Sequence, residues 1–489
     1  MSPPSTPDMN LLGGTRPFLP AWPQRIERVF PVFLLSSLAI GSLLGCGSIQ
    51  INSTDRGTGA QSQSFAYTSS SLANRLTPPQ STPVSNEFFG MTIFNLAAPG
   101  TTVSTSTPFP SFPISALRLW DVAYWANLEP SEGVFNWNKM DGIISAGQEN
   151  GVSDFVFTFG HVPQWASTKP SDPCDDIGTG TCAPPDMSAF DAFAQQVVQR
   201  YCGKVRYYET WNEPNEVGFW DGSKSQLLTV AQHLYQIAKD PANCGCSSGA
   251  CSPNGGANPN EVLMPPVCGL GSSPLEWLDS YLASSGARYP YADIATFHGY
   301  DTINPENVAQ RLPSLRNVLE KHGLATLELW DTEANWGESD VPVTQTQASW
   351  LMRDQILQVA SGISRFIWYA YDSCNWGTLW NPSFCSGVQN TVGQLNDPGR
   401  AYGTMQHWLI GATLTLCQSY QNGLWACELQ RSGGYDAWMI WSSTGSEIPV
   451  PFPDGSRLTV YRDWRDNLNP LSPQLTVGQM PVLVEVKDL

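Results

Sequence analysis

Positive charge is scarce in this chain. Its 489 residues carry 25 Lys and Arg against 43 Asp and Glu, a formal net charge of -18. Binding to nucleic acid or to an anionic membrane needs concentrated Lys and Arg to neutralise phosphates, so both kinds of partner are argued against. A neutral polysaccharide would not be repelled, although acidity also serves simply to keep a protein soluble. Histidine is scarcer still, with 5 in the whole chain. There is no His-Glu-x-x-His pair, no nucleophile elbow and no phosphate-binding glycine loop. Zinc hydrolases, elbow-type serine hydrolases and nucleotide-dependent enzymes are thereby left without their machinery.

Long apolar runs are lacking as well, with one exception. Residues 29–44 are apolar and follow Arg25 and Arg28, the layout of an export signal. About 16 residues interrupted by Pro31 fall short of the ~20 that span a bilayer as a helix, so an uncleaved anchor is the alternative rather than the reading adopted. The closing Leu43-Leu44-Gly45-Cys46-Gly47 resembles a bacterial lipobox. That resemblance implies that Cys46 becomes the lipidated first residue of an exported chain, tethered to a membrane and facing the periplasm or cell exterior. The charged leader is long for such a signal, which suggests a misplaced start codon, with Met9 as the alternative start. Residues 46–85 are rich in Ser, Thr, Gln and Pro and read as a flexible spacer, with order expected from about Glu87.

Cysteine, by contrast, is plentiful, with 12 in the chain. The close spacings Cys174/Cys182, Cys374/Cys385 and Cys417/Cys427 suit disulfides formed in an oxidising compartment. Setting Cys46 aside leaves an odd thiol among the rest. Cys202, Cys244, Cys246, Cys251 and Cys268 have no connectivity that the sequence can fix, and a zinc site at Cys244-x-Cys246 with Cys268 is the alternative to disulfides there.

Between residues 86 and 400, strand-like runs alternate with helical ones. Strands are predicted near 88–93, 116–120, 155–159, 205–211, 262–264, 294–297, 326–331 and 366–369, with helices such as 187–201, 274–282, 308–321 and 344–361 between them. Eight βα units predict a (β/α)8 TIM barrel, whose site lies at the C-terminal ends of its strands. After a helix at 401–410 the pattern changes to short alternating runs near 413–417, 424–427, 437–441, 458–461 and 482–486, which predicts a small antiparallel β-sandwich domain over 401–489.

Two glutamates stand at predicted strand ends, three βα units apart. Glu213 lies in Trp211-Asn212-Glu213-Pro214-Asn215 and Glu333 in Leu329-Trp330-Asp331-Thr332-Glu333-Ala334-Asn335-Trp336. Cleaving a glycosidic bond needs two carboxyl groups flanking it, one protonated and one ionised. Glu328 and Asp331, on the same run as Glu333, are alternative second acids. The 19 Trp supply flat apolar faces for sugar rings, although core packing is their commoner use; Trp165 is carried forward as a possible cleft residue.

With these residues the chain resembles a retaining glycoside hydrolase of clan A, most like family 39 and family 5-like members. The resemblance covers roughly residues 87–400 and rests chiefly on Asn212-Glu213-Pro214. It implies that Glu213 is the acid/base, Glu333 the nucleophile, and Asn212 a partner for the sugar 2-hydroxyl. It further implies that Arg118 keeps Glu333 ionised and that His298 and Tyr300 match a His-x-Tyr pair, with Tyr300 bonding the nucleophile. Where relatives carry a tryptophan platform under the sugar, this chain offers Tyr371, or else Trp376 or Trp368. An oligo- or polysaccharide substrate with β linkages follows. No metal or other cofactor is expected, because protonation, attack and hydrolysis need only carboxylates and water. The alternatives are a surface carbohydrate-binding lipoprotein on a catalytically inactive barrel, or a transglycosylase using the same glutamates.

Overall fold

Short β-branched and aromatic runs set the architecture. A computed structural model describes residues 72–78, 82–97, 106–174, 178–244, 259–286, 289–300, 304–336, 344–374, 376–382, 385, 393–452 and 456–486. The first strand is β1 (Leu72–Leu76). Eight further strands, β2 (Phe89–Met91), β3 (Ala116–Arg118), β4 (Asp154–Thr158), β5 (Tyr207–Glu209), β6 (Glu261–Leu263), β7 (Ile294–His298), β8 (Glu328–Ala334) and β9 (Arg365–Trp368), pair in parallel and close a barrel in chain order. The predicted TIM barrel is therefore present.

Helices α1 (Trp125–Leu128), α2 (Asn138–Glu149), α3 (Met187–Arg200), α4 (Lys224–Lys239), α5 (Ser272–Ala283), α6 (Pro305–Lys321), α7 (Thr344–Ala360) and α8 (Asp397–Leu409) lie between or after these strands. Several of their starts are chemically marked. Asp186 accepts from the Ser188 and Ala189 amides to open α3, and Ser223 forms a capping box with Gln226 at α4. Asn304 caps α6 ahead of Pro305, a residue that fits a helix's first turn because it lacks a donor there.

The β domain continues with β10 (Thr413–Tyr420), β11 (Leu424–Arg431), β12 (Tyr435–Ser442), β13 (Ile448–Pro451), β14 (Val460–Arg462), β15 (Leu468–Pro470), β16 (Gln474–Val477) and β17 (Val482–Glu485). One antiparallel sheet runs β1-β10-β11-β12-β17-β14-β15, and β13 pairs with β16 separately. Two-residue alternation divides the larger sheet between two cores. Leu424, Ala426, Trp438 and Ile440 pack with Ile448, Val450 and Val477 of the smaller sheet, whereas Trp425, Cys427, Met439 and Trp441 join the core shared with the barrel helices.

That second face explains α7, whose polar residues would otherwise make little sense as buried ones. Gln347, Ser349, Arg353, Asp354, Gln355 and Gln358 are all buried, because the helix is covered on both sides. Ser349 Oγ donates to the Gln479 carbonyl at 2.7 Å, and Arg353 Nε donates to Glu306 Oε1 at 2.8 Å. Glu306 Oε1 also accepts from Trp441 Nε1 at 2.8 Å, which ties α6, α7 and β12 together.

The predicted spacer over 46–85 needs correction. Leu72–Leu76 is the edge strand β1 of the C-terminal sheet, paired antiparallel with β10, so order begins before Glu87. Its five residues follow a polar stretch and have little apolar alternation of their own; pairing with β10 supplies what local sequence does not. The three predicted disulfides form, a fourth joins Cys202 to Cys244, and Cys268 carries the free thiol among the described residues. The pairing of Cys244 removes it from the alternative zinc site. Cys46, Cys246 and Cys251 lie outside the described residues.

Candidate active site

Inside a barrel, residues two apart along a strand stack in layers. Val156, Tyr207, Leu263, Ile294, Trp330 and Ile367 form a buried apolar plug. Two residues further along the same strands come Thr158, Glu209, Thr296 and Thr332, all buried. A polar layer therefore sits directly on the plug, towards the C-terminal ends of the strands.

Arg118 organises this layer. Its Nε and Nη2 donate to Glu209 Oε2 at 2.9 and 2.7 Å, Nη2 also donates to Asn212 Oδ1 at 2.7 Å, and Nη1 donates to Glu333 Oε2 at 2.5 Å. Glu209 accepts in addition from Thr158 Oγ1 at 2.8 Å and Thr332 Oγ1 at 2.7 Å. A carboxylate at 0% exposure is thus fully hydrogen-bonded.

Thr332 and Glu333 are consecutive, yet both reach the site. The pairing of β8 with β9 shifts between Asp331 and Ala334, an irregularity of the kind that re-aims a side chain. Glu333 Oε1 accepts from the Tyr300 hydroxyl at 2.6 Å. Across from it stands Glu213, two residues beyond Trp211, with φ of 38° in the left-handed region that non-glycine residues rarely adopt. Glu213 Oε1 lies 2.6 Å from His298 Nδ1. A carboxylate oxygen of each glutamate and a ring nitrogen of His298 fall within 4.8 Å of one another. Such a trio could meet a cation geometrically, but the guanidinium of Arg118 already supplies positive charge to Glu333.

Burial separates these groups electrostatically. It pushes the Glu213 carboxyl up to about 7, with Glu209 adding to the rise and Cys268 and Arg118 opposing it. Burial also raises the Glu333 carboxyl, against the lowering influence of His298, Arg118 and Tyr300. His298 itself is pushed down to about 4 by burial and is neutral near pH 7. The direct contact with Arg118 therefore marks Glu333 as the carboxyl better held in its charged form.

The remaining predicted residues are distributed unevenly. Asn212, Arg118, His298 and Tyr300 converge on the two glutamates. Tyr371 does not: it is 1% exposed and packs against Phe112 and Trp380 in the core. Trp368 is buried too, whereas Trp376 is partly exposed. Among the aromatic residues after β9 it is instead Tyr369 that reaches the site, its hydroxyl donating to Asp121 Oδ2 at 2.5 Å. Trp165 packs edge-on against Trp125 and donates to the Glu129 carbonyl. The alternative acids are accounted for elsewhere. Glu328 begins β8 at the opposite end of the barrel, and Asp331 faces α7, accepting from the Gly299 amide and Gln358 Nε2 at 3.0 and 2.7 Å. A Cβ on Gly299 would collide with that carboxylate.

Sequence reading missed Glu209, Asp121 and Tyr369. Glu209 had a signal: the period-two pattern that turns Tyr207 inward turns Glu209 inward as well. Asp121 had none, since its φ of 65° and its contact with Tyr369 depend on the loop after β3.

The chain thus joins an eight-stranded parallel barrel and an antiparallel β domain, with two carboxyls paired at the C-terminal ends of the barrel strands. No family model matches the sequence, and no curated protein matches it at the sequence level. Solved structures do match by fold. A family 39 glycoside hydrolase from Bacteroides cellulosilyticus WH2 is 16% identical, with 83% of this chain and 82% of that one covered at a TM-score of 0.61. A family 39 β-xylosidase from Caulobacter crescentus is 16% identical over 84% of this chain and 99% of that one, at 0.52. The catalytic domain of the family 30 xylanase C from Talaromyces cellulolyticus is 15% identical, covering 84% and 99% at 0.51.

Proposed function

We propose that this protein is a retaining glycoside hydrolase acting on β-linked glycans. The observation that carries this reading is the bracket around Glu333: one carboxylate oxygen on Arg118, the other on Tyr300, and a second, proton-holding carboxyl, Glu213, within 4.8 Å. Retaining enzymes need carboxyl groups about 5 to 5.5 Å apart, whereas inverting ones leave about 6.5 to 9.5 Å for a water, and the short approach here favours retention.

In this mechanism Glu333 attacks the anomeric carbon while Glu213 gives its proton to the departing oxygen. The glycosyl–Glu333 ester is then cleaved by water, whose proton passes to Glu213 as the new bond forms. Asn212, its Oδ1 fixed by Arg118, keeps its amide nitrogen for the sugar 2-hydroxyl. Asp121 is placed to receive a further hydroxyl. Fold relatives described as a β-xylosidase, a xylanase and an endo-β1,6-glucanase make β-xylans and β-glucans the first polymers to try.

Export to an oxidising compartment fits the four disulfides, and a fold neighbour is a conserved exported protein from Bacteroides fragilis. Lipidation at Cys46 remains part of this proposal. The deciding experiment is incubation with activated 2-deoxy-2-fluoro glycosides of xylose and glucose, followed by peptide mass spectrometry. A glycosyl adduct on Glu333 is expected; an adduct on Glu213 or Asp331 would overturn the assignment of roles.

A further inference from the structure

Strand β8 carries one residue more than its neighbours. Phe297 of β7 pairs with Asp331 and the next residue, His298, with Glu333, while Phe366 and Trp368 of β9 face Asp331 and Ala334. Regular alternation would turn Asp331 and Glu333 to one face, away from Trp330 and Thr332. The extra residue breaks that pattern. Asp331 points to α7, whereas Glu333 turns to Arg118 and Tyr300. A bulge interrupts the ladder, and the backbone groups around it need other partners. The Gly299 amide, just beyond β7, is shared between the Glu333 carbonyl at 3.1 Å and Asp331 Oδ1 at 3.0 Å, and Asp331 Oδ2 accepts from Gln358 Nε2 of α7 at 2.7 Å. Gly299 itself lies between His298, whose Nδ1 is 2.6 Å from Glu213, and Tyr300, whose hydroxyl donates to Glu333 at 2.6 Å. A buried carboxyl outside the barrel lumen therefore grips the turn from which both glutamates are bonded. Space, not conformation, demands glycine there. Gly299 does not adopt a left-handed φ, so its backbone would accept alanine, but the added Cβ would overlap Asp331 Oδ2 and stand 3.1 Å from its Cγ.

We propose that Asp331 is a positioning residue for the nucleophile: bonded to Gly299 and Gln358, its carboxyl pins the bulge of β8 to the end of β7 and so aims Glu333 at Arg118 and Tyr300. This rests on the role proposed for Glu333. Asp331 does its work by accepting, since both bonds end on its oxygens, so a negative charge is dispensable. Burial, and then the neighbouring Asp354, raise the Asp331 carboxyl well above the usual carboxylate range. Asparagine keeps an acceptor for the Gly299 amide and presents an N–H to Gln358. The Gln358 Oε1 has no hydrogen-bond partner among the described residues and receives that N–H once its amide turns over. Alanine keeps neither bond.

The test compares the full chain with Asp331→Ala, Asp331→Asn, Gly299→Ala and the double variant Gly299→Ala with Asp331→Ala. Two quantities are read. One is the titration midpoint of the Glu333 carboxyl by 13C NMR, assigned with Glu333→Gln; the other is the rate and binding constants for inactivation by the 2-deoxy-2-fluoro glycosides. Loss of the Arg118 and Tyr300 bonds raises a carboxyl, so Asp331→Ala is expected to lift the Glu333 midpoint by about one pH unit or more. Adduct formation is expected to slow about 100-fold, with glycoside binding changed by less than about threefold. Asp331→Asn is expected to stay near wild type on both. Gly299→Ala should resemble Asp331→Ala, and the double variant should be no worse than either, because the alanine then has room. A wild-type midpoint and rate in Asp331→Ala, an asparagine variant as impaired as alanine, or losses that multiply in the double variant would each overturn the proposal. Should Asp331→Ala not fold, Gly299→Ala decides alone, an unmoved Glu333 midpoint refuting the proposal. Midpoint shifts in a chain that forms no adduct with any glycoside would refute the glycosidase function and leave Asp331 aiming Glu333; unshifted midpoints in a reactive enzyme would refute Asp331 alone.

Discussion

Glu209 aims Arg118. Two of the three guanidinium nitrogens of Arg118 bond Glu209 Oε2 at 2.9 and 2.7 Å, which leaves Nη1 to meet Glu333 at 2.5 Å. The proposed nucleophile is therefore positioned through a carboxylate that never faces the substrate.

Glu209→Ala should consequently harm both stability and turnover. It strips a buried arginine of its main counter-charge, a change worth about 3 to 5 kcal/mol, and frees the guanidinium to rotate away from Glu333. Urea unfolding and kcat measured on the same preparation check this; a loss below about 1 kcal/mol would show that Arg118 is held by its other contacts.

The two glutamates should fail differently. Glu213→Ala is expected to lower kcat by about 100- to 10,000-fold on natural glycans, and far less on substrates whose leaving group departs without a proton. Glu333→Ala should abolish turnover on both while the fold survives, since Arg118 keeps Glu209 and Asn212. Comparing an aryl glycoside with an oligosaccharide distinguishes the roles, and equal losses for the two variants on both substrates would contradict them.

The pH dependence has a fixed sign. Glu213 must be protonated in the first step and is pushed up to about 7, so kcat/KM should fall as pH rises through about 7. Stability follows the same direction. A carboxyl raised in the folded state binds its proton more tightly there than in the unfolded chain. Its contribution is complete below the ordinary carboxyl value of 4.5 and disappears as pH rises towards about 7. Thermal melts of Glu213→Gln should show a weaker decline across that interval than wild type.

A further prediction concerns the join between barrel and β domain. Arg353 and Glu306 are buried at 1% and 3% exposure and bonded to each other, with Trp441 reaching Glu306 from β12. Arg353→Met leaves Glu306 charged and unpaired apart from the indole, at a cost of about 3 to 5 kcal/mol. The double change Arg353→Met with Glu306→Leu should recover much of that loss. Denaturant midpoints of the single and double variants provide the check.

Local chemistry determined a large part of this protein. Apolar runs of three to seven residues between helices are enough to specify eight βα units, because strand burial, and the caps that open α3, α4, α6 and α8, are written within a few residues. Glu213 and Glu333 were legible for the same reason, each ending such a run. What tertiary structure alone decided is which side chains meet. Barrel closure brings Arg118, Glu209 and Glu333 together from three different strands. The irregular register of β8 lets Thr332 and Glu333 share one face, and beyond the end of β9 it is Tyr369 that meets Asp121 while Tyr371 packs into the core. Strand β1 likewise exists through its pairing with β10, and Cys268 is held by Asn215 and His298. None of these depends on neighbours in sequence, since each is a contact between segments that only the closed fold brings within reach.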